Sequence, residues 1–300
     1  MDSTLLHTFR VVCESGRISL AARTLHLSQP AVSQQMHRLE DACAQPLLTR
    51  SARGVRPTPA GEALLAYARR VDELLEEADS AMRRDAPVGG ELRLAASTTL
   101  ASYVVPRLFA RFRAREPGAS LRLVVANTEG VIEHLRSGDV LLGLIEGVER
   151  VAHVHTEPFF DDALLPCVAA SAERISFAVP TSLAGLATVP LAMRERGSGT
   201  REVVERGLKR AGVRRHKDAP ELELGSTEAC KAAVEAGLAV GFLARVAIDK
   251  ELALGTIRPL ELRRLHIART FRWALSSKAP PPGIAGRFYR FCGATTRLNL

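Results

Sequence analysis

Cysteine is scarce in this sequence and spaced where it can do little. The five residues, Cys13, Cys43, Cys167, Cys230 and Cys292, form no CxxC pair and no zinc-ligand spacing. That argues against a disulfide framework or a metal centre and for a reducing compartment, the cytoplasm. Long apolar runs are missing as well: the longest apolar-plus-glycine stretch, Ala236 to Ala244, is far too short to span a bilayer. The opening MDSTLLHTFR lacks the basic and apolar regions of a signal peptide. Catalytic signatures are equally absent. There is no GxSxG elbow and no HExxH pair, and the glycine-rich GSGTR at 197–201 lacks the lysine and the spacing of a P-loop. His153 and His155 would share one face of a strand, but two histidines alone read as exposed strand residues. No enzyme, cofactor or metal is expected, and there is no internal repeat or low-complexity tract.

What is present is an ordinary globular composition, 46% hydrophobic and 25% charged over 300 residues, enough for two or three domains. The net charge of +8 is unevenly placed. Residues 1–60 carry seven arginines against four acids (+3), residues 61–88 four against seven (−3), and residues 89–300 thirty basic residues against twenty-two acids (+8). The basic excess therefore says little about nucleic acid at the N-terminus. DNA affinity there must rest on a few placed contacts.

The segment ISLAARTLHLSQPAVSQQMHRLE, Ile18 to Glu40, reads as two short helices and a tight turn. Leu20, Ala21 and Leu25 give the first an apolar face, and His26-Leu27 forms the corner. Ser28 is an N-cap, Pro30 sits where a missing N–H costs nothing, and Val32, Met36 and Leu39 form a buried stripe. The other face shows Gln29, Ser33, Gln34, His37 and Arg38, mostly uncharged donors and acceptors suited to base edges. That fits a helix-turn-helix entering the major groove, with an ordinary αα-corner as the alternative. A helix over Thr4 to Ser15 can pack behind it. PLLTRSARGVRPTP, with Arg50, Arg53 and Arg56 around Gly54, reads as a hairpin wing or as a solvated basic loop. Thr58 caps a long helix, Ala60 to Arg84, with Pro59 at its first position. Leu64, Val71 and Ala78 at sevenfold spacing, with Tyr67, Leu74 and Ala81 three residues on, predict a self-pairing seam, the alternative being packing within its own domain. Ala86 to Gly90 is a hinge-like linker.

Beyond it, strand and helix signals alternate, predicting an α/β sheet with helices on both faces and two subdomains around a cleft. The expected elements are a strand at 91–97, a helix Ala101–Arg115, a strand 121–126, a helix Thr128–Ser137 and a strand Val140–Ile145. Later come a strand near 189–193, a helix Thr200–Ala211, a strand 222–225, a helix Ser226–Ala236, a strand 238–243 and a final helix after Pro280-Pro-Pro-Gly283. Ligands of open α/β sheets sit where strands end and helices begin. The candidates there are Ser97, Thr98 and Thr99, then Asn127 and Thr128, Glu146 after the third strand, and Ser226 and Thr227. The most distinctive is RERGSGTR, contributing Arg194, Gly197, Ser198, Gly199, Thr200 and Arg201. Glycines, hydroxyls and arginines at a helix's positive end suit an anion, although such connections also occur as plain surface loops. Cys230 and Cys167 read as buried thiols rather than redox sensors.

LAARTLHLSQPAVSQQMHRLE, the arginine-bearing wing and the TPAGEALLAYA helix together resemble the LysR-type transcriptional regulators, most strongly over residues 3–85. The resemblance implies a winged helix-turn-helix (1–58), a dimerising linker helix and hinge (59–88), and an effector domain of the periplasmic-binding-protein type (89–300). The last would divide into subdomain I, about 89–161 and 266–300, and subdomain II, about 162–265. It implies a homotetramer bending double-stranded promoter DNA, with RNA polymerase as a further candidate partner and no membrane. By position, Ser28, Gln29, Pro30, Ser33, Gln34 and Arg38 would be recognition-helix contacts, and Arg50 and Arg53 wing contacts. RERGSGTR resembles the subgroup regulating carbon fixation and sulfur assimilation, whose effectors are small anions. Cys43, Ala44 and Leu48 depart from the family's usual Leu, Gly and Phe. Alanine takes a positive φ less cheaply than glycine, so that helix end is expected to differ in shape. The competing class is an α/β ligand-binding protein or small-molecule enzyme with an N-terminal interaction module. Gln29→Ala is expected to cost about 1–3 kcal/mol of base discrimination, read as the ratio of operator to random-DNA affinity. Equal loss on both DNAs would show that Gln29 reads no base.

Overall fold

The computed structural model describes residues 2–51, 54–82, 90–147 and 151–295. The hinge-like linker up to Gly89, Arg53, and the side chains of Arg50 and Ala81 lie outside the described residues. The N-terminal unit opens with α1 (Ser3–Ser15), α2 (Ile18–Thr24) and α3 (Gln29–Cys43). A hairpin follows, β1 (Leu48–Ser51) paired antiparallel with β2 (Gly54–Pro57), and then α4 (Pro59–Met82). Phe9, Val12, Val32, Met36 and Leu39 are fully buried where α1 and α3 meet. Leu20 is not part of that core. It is 48% exposed, and Ala22 at 3% takes its place beside Ala21, because α2 turns an i, i+1 pair of small residues inward so that it can lie close to α3.

Local chemistry explains each helix end. The Ser28 hydroxyl accepts from the Ala31 N–H at 3.3 Å, and the Thr58 hydroxyl from Gly61 N–H at 3.0 Å. His26 forms the corner with φ +54, a region histidine visits more readily than most side chains. Gly54 lies so close to the Gly16 carbonyl that a Cβ would overlap it. The Val55 N–H donates to that carbonyl at 2.8 Å, tying the wing to the end of α1. Ala44 overturns the expectation of a differently shaped helix end. It adopts φ +52, and Gln45 N–H reaches back to the Glu40 carbonyl, closing α3 as a glycine would. The Glu40 carboxylate then accepts from Leu47 and Leu48 N–H at 2.9 and 3.1 Å, holding the turn.

The seam expected on α4 is divided. Leu64 and Val71 are half-buried against the N-terminal core, where α4 lies on α1 and Asp72 meets Arg10 and His7. Tyr67, Leu74 and Leu75 are 61%, 53% and 49% exposed.

The rest is one sheet with helices on both faces. β3 (Gly90–Ser97) runs parallel to β4 (Ala119–Ala126) and β5 (Leu142–Ile145). β7 (Leu191–Arg194) runs parallel to β8 (Glu221–Leu224) and β9 (Val240–Ala244). Two long strands join these halves: β6 (His155–Ala169) and β11 (Ile267–Leu275), antiparallel to each other and sandwiched between β5 and β9, with the short β10 (Ile257–Pro259) on β6. Of β6 only a strand through His153 and His155 was foreseen, and His153, at φ +62, lies before it; β10, β11 and α10 (Arg245–Leu254) were not foreseen. The expected boundary at 161/162 falls inside β6. The helix expected over 101–115 is two, α5 (Thr98–Tyr103) and α6 (Val105–Arg115), interrupted where Pro106 removes an N–H. α7 (Thr128–Arg136), α8 (Gly199–Arg210) and α9 (Thr227–Glu235) follow β4, β7 and β8, and α11 (Gly283–Thr295) closes the chain over Phe112 and Trp273 through Phe288. No helix among the described residues is long and apolar enough to cross a membrane.

Ala44→Gly is expected to stabilise the protein by about 0.5–1 kcal/mol, since glycine removes the left-handed strain but frees the unfolded chain. Denaturant unfolding checks this; a loss of stability would mean that φ +52 carries no strain.

Candidate functional site

Two places gather the candidate residues. On α3, Gln29, Pro30, Gln34, His37 and Arg38 are exposed and Ser33 half-exposed, all on the face opposite the buried stripe, with exposed Ser28 capping the helix above them. Gln35 belongs to the other face: its side chain accepts from the buried Thr8 hydroxyl at 2.5 Å. The outward stripe carries one fixed charge, Arg38, among amides and hydroxyls. That composition suits base edges better than a general phosphate grip. In the wing, Arg56 is exposed on β2.

The second place is built around a residue that sequence reasoning missed. Arg269 on β11 is buried with its side chain 1% exposed. Its guanidinium contacts Glu146, whose side chain is equally buried, donates to Asp162 at 2.8 Å and to the Thr200 hydroxyl at 3.0 Å, and lies 4.3 Å over the Phe271 ring. From Glu146 the network continues to Thr99 at 3.3 Å and from Thr99 to Thr227 at 3.0 Å. Arg194, only 3% exposed, donates to Thr227 at 3.3 Å and to Thr98 at 2.6 Å. Thr98, Thr99 and Glu146 come from the β3–β5 half, Arg194, Thr200 and Thr227 from the β7–β9 half, and Asp162 and Arg269 from the joining strands. Six expected residues thus meet in one hydrogen-bonded chain across the cleft. The signal for Arg269 was an arginine at an inward position of the alternating IARTFRWAL.

The cleft is shut around this chain. A Cβ on Gly199 would overlap the Glu146 carbonyl, so only glycine lets the start of α8 approach the end of β5 this closely. The Thr128 hydroxyl donates to that same carbonyl at 3.1 Å, Glu129 N–H to the Gly197 carbonyl at 3.2 Å, and the Asn127 amide to Arg196 O at 3.3 Å. Between Thr99, Arg194, Thr200 and Thr227 a cavity of about 10 Å³ remains, the size of one water. The hydroxyl oxygens of Ser97 and Ser198 are buried without a hydrogen-bond partner among the described residues. Ser226 caps α9, accepting from Ala229 N–H at 3.0 Å.

Arg201 departs from its expected place. Glu205, Glu221 and Glu223 hold its guanidinium at 2.8, 2.8 and 3.1 Å on the outer side of α8, so its charge is spent away from the cleft. Arg194 is likewise not a free cation, since Glu195 pairs with it through two bonds of 2.7 Å. Burial works to raise the Glu195 carboxyl, but the bonds and charge of Arg194 override it and hold the pKa below the ordinary value. Burial pushes Cys230 up to about 11 and Cys167 to about 12, which leaves both as unreactive thiols at neutral pH. Arg269→Ala, which would leave Glu146 and Asp162 buried without a counter-charge, is expected to cost about 3–5 kcal/mol in urea unfolding. A loss under about 1 kcal/mol would show the pair to be as weak as one at the surface.

Both parts of the chain match known families. Residues 3–62 match the bacterial regulatory helix-turn-helix protein, lysR family, and residues 85–297 match the LysR substrate binding domain. The RuBisCO operon transcriptional regulator of Allochromatium vinosum is 35% identical over 249 residues, covering 82% of this chain and 80% of that protein. Among solved structures, the CcmR regulatory domain of Synechocystis PCC6803 in complex with 2-PG is 27% identical, with a TM-score of 0.61 over 70% of this chain and 98% of that one. Full-length CbnR complexed with its target DNA is 25% identical, with a TM-score of 0.55 over 99% and 100%. Two family matches that together span nearly the whole chain, and a helical reader joined to a cleft between two α/β halves, make this protein a member of the LysR family of DNA-binding transcriptional regulators with an effector-binding domain.

Proposed function

We propose that the protein binds promoter DNA as a homodimer or dimer of dimers and that a small anionic effector in the cleft sets the spacing of its DNA-binding pairs. Residues 1–58 are the reader, 59–88 the dimerising linker, and 89–300 the effector domain. Its two subdomains meet where β6 and β11 cross between them. Ser28, Gln29, Pro30, Ser33, Gln34 and Arg38 contact bases and flanking phosphates, with Arg50 and Arg53 of the wing on the backbone or minor groove. The DNA complex of CbnR, a protein of similar fold along its whole length, supports this reading. The exposed Tyr67, Leu74 and Leu75 on α4 support pairing of linker helices, because an apolar stripe of this kind is costly in water. The protein works in the cytoplasm, where promoter DNA is, with RNA polymerase as a further partner, and needs no cofactor or catalytic step.

One observation carries the effector reading. Buried hydroxyls without partners among the described residues, Ser97 and Ser198, flank the Arg194 cluster where the N-termini of α7, α8 and α9 converge. Helix N-termini favour negative charge, and an unpaired buried hydroxyl costs about 1–3 kcal/mol until something bonds it. A small anion seated there takes hydrogen bonds from Arg194, Thr98, Thr200 and the free N–H groups of α8. Seating it requires the contact between Gly199 and the end of β5 to part, so the ligand has unequal affinity for the closed and open clefts. That difference is the free energy available to move the DNA-binding pairs. CcmR with 2-PG and the relatives named for the RuBisCO operon support a small metabolite as the signal.

Arg194→Ala or Thr200→Ala is expected to weaken effector binding on the order of tenfold or more and to abolish the response in a gel shift, while operator affinity without effector stays intact. Calorimetry with phosphate, sulfate and 2-PG on the full chain checks this. Unchanged affinity for whichever of these the wild type binds would remove Arg194 and Thr200 from the site.

A further inference from the structure

The outward face of β11 borders a second concavity, which meets the cleft only at Gly147 and Arg269. α8, the turn before β11 and the strand itself enclose a groove of about 560 Å³, within the range of small-molecule sites. Its lining is strongly basic: Arg206 and Arg210 from α8, Arg264 and His266 from the turn, and Arg272 from β11, against one carboxylate, Asp161. Asp161 is held by the Thr270 hydroxyl at 2.7 Å. Arg206 donates to the Gly147 carbonyl and has Glu202 at 3.8 Å. Among the described residues, the guanidiniums of Arg210, Arg264 and Arg272 have no ion pair and no hydrogen bond, whereas those of Arg201, Arg194 and Arg269 are paired with carboxylates.

Two details mark the cluster as more than solvated surface. Arg264 sits at φ +69 in the turn that Leu265 N–H closes onto the Leu262 carbonyl at 3.1 Å. A glycine would fold that turn more cheaply, yet an arginine stands there. Gly207 lets α8 lie directly on Ile267 of β11, since a Cβ would press into the Ile267 side chain. Arg206 and Arg210 are thereby brought to the strand that carries Arg272.

We propose that this groove binds a small polyphosphorylated metabolite, a pyrophosphate or bisphosphate, as a second regulatory ligand. Apart from Arg269, whose charge Glu146 and Asp162 take up, four guanidiniums and one carboxylate line the groove, an excess of three positive charges. One phosphoryl group, at about −1.5 to −2, neutralises only part of that, whereas two match it. Arginine forks bind phosphate oxygens in pairs. The groove is too small for a duplex. A ligand spanning Arg206 and Arg210 on α8 and Arg264 and Arg272 at β11 fixes the angle between helix and strand. α8 also forms the cleft, through Gly199 and Thr200 at its other end, about 15 Å away at helical rise. The two ligands therefore act on one helix, and each changes the affinity of the other.

The test is titration of the full-length protein, without DNA, by inorganic pyrophosphate and by inorganic phosphate. Calorimetry is read together with the fluorescence of Trp273, the sole tryptophan and the neighbour of Arg272. Wild type is expected to bind pyrophosphate more tightly than phosphate. R210E/R264E, at two exposed and unpaired positions, is expected to lose about tenfold or more in pyrophosphate affinity with an unchanged melting curve, while Arg194→Ala keeps it. Loss in Arg194→Ala with R210E/R264E unaffected places pyrophosphate in the cleft; this overturns the groove and leaves the cleft reading standing. Equal affinity for phosphate and pyrophosphate, or no binding at millimolar concentration, also overturns it. So does a weaker operator affinity of R210E/R264E without pyrophosphate, which would make the groove a DNA surface.

Discussion

The buried contact of Arg269 with Glu146 and Asp162 is the constraint on which the effector half turns. Taking three charged groups out of water costs several kcal/mol each, and only close pairing and full hydrogen bonding repay it. Here repayment needs contributions from three sources at once: Glu146 at the end of β5, Asp162 and Arg269 on the joining strands, and the Thr200 hydroxyl at the start of α8. If the two α/β halves separate, the Thr200 bond is lost and the chain through Thr99 and Thr227 to Arg194 breaks with it. The closed cleft is therefore one arrangement with a definite set of bonds rather than the end of a continuum. A ligand that replaces those bonds selects another arrangement, and discrete alternatives of this kind are what a switch requires. The network carries two arginines against three carboxylates once Glu195 is counted. The anion proposed above would be welcome there only where the helix N-termini and Arg194 outweigh the carboxylates locally, and the selectivity of such a site is expected to lie in geometry more than in charge.

The legible and illegible parts of this chain divide by the distance over which the information is held. α3 was legible because everything that makes it a helix lies within fifteen residues: the Ser28 cap, Pro30 in the first turn, and the Val32, Met36, Leu39 stripe. The same holds for the Thr58 cap of α4 and for the strand-end residues Thr98, Thr99, Thr128, Glu146 and Thr227. β6 was illegible because Pro158, Pro166 and the Asp161-Asp162 pair interrupt any alternating pattern, and because its two ends serve different halves of the sheet. Arg201 was misread for a related reason. Beside Gly199 and Thr200 it looks like part of an anion cradle, but Glu221 and Glu223, which claim it, lie on a strand that only the fold brings alongside. Ala44 shows the opposite failure: a local rule forecast a change of shape, and the Glu40 side chain together with the turn into β1 held the backbone in the left-handed region regardless.

α7 links the cleft to the helix that bears the N-terminal unit. Its first residue, Thr128, donates to the Glu146 carbonyl in the cleft, and the turn at its far end rests on the linker helix. There Gly138 lies against Ala66, where a Cβ would not fit, and Asp139 pairs with Arg69 at 2.9 Å. Burial alone would raise the Asp139 carboxyl, but hydrogen bonds from Ser137, Arg69 and His134 lower it below the ordinary value, so the pair stays charged at neutral pH. Arg69 also meets Glu14 of α1, and Asp72, one turn further along α4, is held by Arg10 and His7 of α1. α7 is a nine-residue rod with one end in the cleft and the other on the helix that carries the reader. Packed side chains do not compress, so opening the cleft by moving the start of α7 must tilt its far end against α4 or break the Arg69–Asp139 contact. Either outcome changes how the linker helix is held. The linker helix in turn fixes where α3 points, because α1 lies between them and packs on both. Under the proposed function, the base contacts of Gln29 and its neighbours would be local, whereas the spacing at which two copies present them would follow the cleft.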